Sequence, residues 1–129
     1  MGLLGQVNFE HGRIPTWTEV SELLRVRAFP IQLRMIDGEL ALPDELPSES
    51  WQELRIGTPH GMVTLRREPT RIQFVIWGNA EPALQTARHV LAWTFAELGN
   101  GTVETEAGGC SPAEFARQIG LPASLVESR

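Results

Sequence analysis

The sequence predicts a single α+β domain, an antiparallel meander sheet of about five to six strands with one long helix packed on its apolar face and shorter helices near the two termini. Short alternating segments fill the stretch from Ile31 to Trp77, and turn-forming residues separate them. A long apolar helical stripe then follows over residues 80–98. At 129 residues the chain suits one domain, 1–129, and a globule of that size hides roughly two-thirds of its unfolded surface.

A short strand is expected around Val7 and Phe9. Thr16-Trp17-Thr18-Glu19 matches a capping box, and Val20, Leu23 and Leu24 follow at helical spacing, so a helix is predicted over 17–27. Phe29-Pro30 ends it. Ile31, Leu33 and Met35 then alternate with Gln32 and Arg34 before Asp37-Gly38, a pair suited to a two-residue type I′ turn leading into Leu40 and Leu42. Residues 43–50 read as a loop, and 51–56, 62–67 and 71–77 as three strands. Asn79 is placed to cap the long helix, with Pro82 in its first turn and Gly99 closing it. Its predicted core stripe is Leu84, Ala87, Leu91, Phe95 and Leu98. Residues 101–106 form a candidate sixth strand, and Ser111-Pro112-Ala113-Glu114 opens a last helix that stops at Gly120.

Strand parity divides the sheet into two faces. Leu54, Ile56, Val63, Leu65, Ile72, Phe74 and Ile76 are expected to face the core. Gln32, Arg34, Trp51, Glu53, Arg55, Thr64, Arg66, Arg71, Gln73, Val75 and Trp77 then share the opposite face, and a bulge in any strand would flip its assignment. Arginine forks bind carboxylate or phosphate and indoles stack on apolar or planar groups. This face is therefore a candidate anion site or protein interface, set against an ordinary solvated face with arginines paired to acids and tryptophans partly covered by the 17–27 helix. On the long helix, His89 and Trp93 are predicted to lie away from the core stripe. An exposed indole there would leave up to ~200 Å² of largely apolar surface in water, so either the 112–119 helix or a partner is expected to cover it.

The formal charge of −5 gives no general footprint for nucleic acid. All 11 basic residues are arginine, and one cysteine, Cys110, excludes an intrachain disulfide. Residues 1–5 lack the basic, apolar pattern of a secretion signal, and no segment has the apolar length of a membrane span, so the expectation is a soluble cytoplasmic protein. His11, His60, His89 and Cys110 lack the spacing of a zinc site, and neither glycine cluster makes a phosphate loop; no metal or cofactor is expected. Cys110 precedes a helix cap whose dipole could lower a thiol pKa, a weak signal for a nucleophile.

Ala116, Gly120 and Val126 resemble the small-residue, turn-glycine and packing positions of a helix-turn-helix. A reading helix with almost no basic side chains would undersupply phosphate contacts, so the segment is taken as a helix-turn closure. The functional expectation is a small non-enzymatic protein-interaction module, such as an adaptor, chaperone-like or inhibitory protein, acting through a partner or self-association as a homodimer. Its binding residues are expected among Trp51, Trp77, Trp93, Arg34, Arg55, Arg66, Arg71 and His89. The alternatives are a domain binding a small anionic ligand on the Arg and Trp face, and an enzyme using His60, His89 or Cys110.

Overall fold

The structure is a computed structural model that describes residues 5–77, 81–105 and 107–126. Its centre is an antiparallel meander. Strand β2 (Gln32–Ile36) turns through Asp37-Gly38 into β3 (Glu39–Leu40), with φ of +50° and +88° at the two turn residues, as a type I′ turn requires. The Asp37 carboxylate accepts the Gln52 and Glu53 backbone N–H groups at 2.8 and 2.9 Å, fixing the start of β4 (Glu53–Thr58). Strands β5 (Gly61–Glu68) and β6 (Arg71–Val75) continue the meander.

The sheet is larger than the expected five or six strands. Strand β1 (Gln6–Asn8) inserts beside β6, and the hairpin of β7 (Thr102–Thr105) and β8 (Gly108–Cys110) extends it, giving eight strands in the order β3-β2-β4-β5-β6-β1-β7-β8. A three-residue strand is too short to show periodicity. In β8, Gly108-Gly109-Cys110 carries no strand propensity and reads as a turn from sequence, yet pairs with Val103 to Thr105.

Parity holds through β4, β5 and β6: Leu54, Ile56, Val63, Leu65, Ile72 and Phe74 are buried, while Ile76 is half-buried against the core. It fails in β2. A register shift between Leu33 and Met35 sets Met35 opposite Arg55 and Ile36 opposite Leu54, so Ile36 packs on the core and Met35 joins the other face.

Helix α1 (Trp17–Val26) starts at a reciprocal capping box. The Thr16 hydroxyl accepts the Glu19 N–H at 3.2 Å and the Glu19 carboxylate accepts the Thr16 N–H at 2.9 Å. Helix α2 (Pro82–Gly99) lies on the sheet, touching β1, β5, β6 and β7, and Phe95 meets Phe74 edge-on at 5.5 Å. It is buried on more than its predicted stripe: Ala87, Leu91 and Phe95 are joined by Val90, Ala92, Trp93 and Ala96, because α1 and α3 (Pro112–Ile119) both pack against it. The predicted Asn79 cap lies outside the described residues; Glu81 is the N-cap and makes no side-chain capping bond. Asn100, with φ +56°, closes the helix in place of Gly99. Gly99 is glycine for a different reason: a Cβ there would collide with the Arg13 carbonyl oxygen and lie 2.8 Å from Phe9 Cε1. Ser111 caps α3, Gly120 with φ +70° ends it, and a single turn, α4 (Ala123–Val126), follows.

Candidate functional site

Packing of the helices on one side leaves the opposite face of the sheet with no second layer from the described residues. Cross-strand pairing assembles that face in rows. Arg55, Thr64 and Val75 make one, and Glu53, Arg66, Gln73, Gln6 and Glu104 the next. Arg34 lies alongside Gly57, whose pairing partner is Met62. Beyond Val75, Trp77 is 59% exposed and carries the Arg66 guanidinium 5.5 Å from its ring centroid. Thr64, although on the uncovered face, is only 1% exposed, which shows how closely its long neighbours lie over the strands.

The charges on this face are unbalanced. Among the described residues the ion pairs join Arg13 to Glu19, Arg25 to Glu22 and Arg71 to Glu68, leaving Arg34, Arg55 and Arg66 with no carboxylate partner. Arg34 donates instead to the Gln32 side-chain oxygen at 3.1 Å. The Glu104 carboxylate accepts from Gln6 at 2.5 Å and Asn8 at 3.3 Å, so that acid is engaged elsewhere. Arg71, a predicted site residue, is held by Glu68 at 2.9 Å across the β5–β6 turn.

Three other predicted site residues are placed differently from expectation. Trp93 is not an outward indole: it is 2% exposed, between α2 and α3, in a groove shared with Ala113, Ala116 and Arg117. His89 meets the Phe115 ring edge-on at 5.7 Å, and burial, aided by the Arg88 charge, depresses its pKa to about 4. Its Nε2 has no hydrogen-bond partner among the described residues. Of the two covers expected for Trp93 the 112–119 helix is the one found, and periodicity alone misjudged the burial of both residues because α2 has neighbours on several sides. Trp51 is 3% exposed on the helix side of the sheet, since it precedes β4 and escapes strand parity. Nor does α1 cover the Arg and Trp face; it packs against α2 on the opposite side.

Trp51 belongs instead to a cleft of about 350 Å³ between the start of α1 and the 43–50 loop. Trp17 forms another part of its wall, and the Arg67 guanidinium lies 5.2 Å from the Trp51 ring centroid. Arg67 was absent from the sequence-predicted site. The available signal was parity: it alternates with Val63 and Leu65, so it occupies a core-facing position at a strand end.

The candidate catalytic groups do not converge. His60 is exposed in the β4–β5 turn with its ring 6.3 Å from Phe29, and His11 is exposed in the turn after β1. Cys110 is buried, and burial together with Glu114 raises its thiol pKa, opposite to the shift a nucleophile needs. No group of three His, Cys, Asp or Glu side chains among the described residues could hold a metal, and no described helix is long and apolar enough to cross a membrane. No family model matches the chain, and no curated protein or solved structure matches it significantly.

Proposed function

We propose that the chain is a small non-enzymatic binding module that meets a protein partner through the uncovered face of its sheet. The observation that carries this is the contrast in pairing. Among the described residues Arg13, Arg25 and Arg71 have carboxylate partners, whereas Arg34, Arg55 and Arg66, gathered on the uncovered face with Met62 and the exposed Trp77, have none. Arg and Trp are the residues that most often dominate binding energy at protein interfaces. A partner segment that presents carboxylates beside an apolar side chain satisfies both. A groove of about 460 Å³ bordered by Pro30, Arg34, Pro59 and Met62 gives that side chain a seat.

Self-association through this face is disfavoured, because a two-fold pairing sets its arginines against their own copies. With Trp93 and Trp51 covered within the chain, the apolar patches that suggested a homodimer are also reduced to Trp77. The buried, unreactive Cys110 and the moderate acidic balance fit a cytoplasmic setting for this reading. The test is affinity capture from the source cell with the wild type and with Trp77→Ser. A partner retained by the wild type and lost with the variant supports the proposal; identical recoveries refute it.

A further inference from the structure

We infer that the cleft between α1 and the 43–50 loop binds a small aromatic monocarboxylate, on the opposite side of the sheet from the proposed protein interface. Its volume of about 350 Å³ lies at the small end of the range for small-molecule sites, and its walls are largely apolar. Trp17 and Trp51 supply two indoles and Pro15 and Pro47 two rigid rings, surfaces that suit a planar body. Arg67 supplies the charge. Its guanidinium lies beside the Trp51 ring and has no carboxylate partner among the described residues, so its N–H fork is available to a ligand carboxylate.

The charge of the ligand follows from the acids nearby. Glu49 lines the same cleft without pairing to Arg67, and Glu19, in the first turn of α1, is held by Arg13. Arg67 and Glu49 bring the lining to zero net charge, so a monocarboxylate bonded to the Arg67 fork adds one negative charge to the cleft where a phosphate dianion adds two and is repelled more strongly by Glu49. Thr18 adds a hydroxyl to the lining, whereas the hydroxyls of Thr16 and Ser48 are engaged with Glu19 and Ser50.

The experiment follows the indole N–H resonances of the four tryptophans by NMR while the full chain is titrated with 3-phenylpropionate, its neutral amide, or inorganic phosphate. The expected result is saturable movement of the Trp17 and Trp51 signals with the acid, leaving Trp77 still, and binding at least about tenfold weaker for the amide and for phosphate. Arg67→Gln should weaken the acid by about the same factor. Equal binding of acid and amide, phosphate binding as tightly as the acid, movement confined to Trp77, or no movement at millimolar ligand would each overturn the inference. Should Arg67→Gln fail to fold, the wild-type comparison of acid with amide decides alone.

Discussion

Replacing Gly99 with alanine tests whether close backbone approach fixes the end of α2. Gly99 is the last residue of the helix, where propensity alone would favour alanine by at most about 1 kcal/mol. The fold reverses that sign. A Cβ would collide with the Arg13 carbonyl oxygen, lie 2.8 Å from Phe9 Cε1 and 2.9 Å from Pro15 Cδ, and two of these neighbours belong to backbone or a rigid ring. Overpacking of that kind costs about 1–3 kcal/mol, and loss of the Arg13 N–H to Gly99 carbonyl bond, 3.0 Å long, adds about 1 kcal/mol. Net of propensity, Gly99→Ala should lose about 1–3 kcal/mol. With a urea slope of about 1–3 kcal/mol per molar, the unfolding midpoint should fall by roughly 1 M. Gly12→Ala should act similarly, since its Cβ would strike the Gly99 carbonyl oxygen and lie 2.7 Å from that of Asn100. Because both variants open one contact, the double variant should lose less than the sum of the two. A midpoint that rises in Gly99→Ala would refute the packing of the 9–15 segment against α2.

Trp93→Ala should destabilise the fold by about 3–5 kcal/mol, read by chemical denaturation, because the indole is buried beneath α3; a loss under about 1 kcal/mol would return Trp93 to the surface. The depressed His89 pKa makes stability fall with pH in a defined window. Above about pH 6.5 the imidazole is neutral in both states; between 6.5 and about 4 the unfolded chain binds a proton that the folded chain does not; below about 4 the loss is complete. His89→Gln should therefore flatten the dependence of melting temperature on pH between 6.5 and 4.5, and an unchanged slope would contradict the burial of the ring. The Glu19 carboxylate, held near 2 chiefly by Arg13, contributes stability that is lost as pH falls from 4.5 toward 2, mostly below that window.

The capped helices and the meander were legible because their signals are local. Thr16 with Glu19, Asp37-Gly38 and Ser111-Pro112 each act within four residues of chain, and the structure builds them as expected. What escaped was set at long range. The short strand expected around Val7 is present as β1, but its place between β6 and β7 was not predicted, and β8 is held by pairing rather than propensity. The fate of the tryptophans was illegible for the same reason. Whether Trp93 faces water depends on where α3 docks, and α3 begins nineteen positions later in the chain. Of the predicted binding set, Arg55 and Arg66 share one face because strand parity survives where the register is regular, whereas Arg34, at the β2 bulge, is placed there by its contact with Gly57 and Trp77, beyond β6, by its contact with Arg66. Trp51 and Arg67 meet in a cleft that no spacing rule connects.

Charge reversal on the two sides of the molecule, with binding to the captured partner read by calorimetry, tests whether the uncovered face is the binding surface. One variant carries Arg55→Glu and Arg66→Glu on the uncovered face; a charge-matched control carries Arg13→Glu and Arg25→Glu, whose arginines are engaged with Glu19 and Glu22. The first variant should bind the partner at least about a hundredfold more weakly while remaining folded, since two charge-assisted contacts disappear, and the control should bind like the wild type. Equal binding by both variants, or equal loss, would contradict the assignment of the uncovered face.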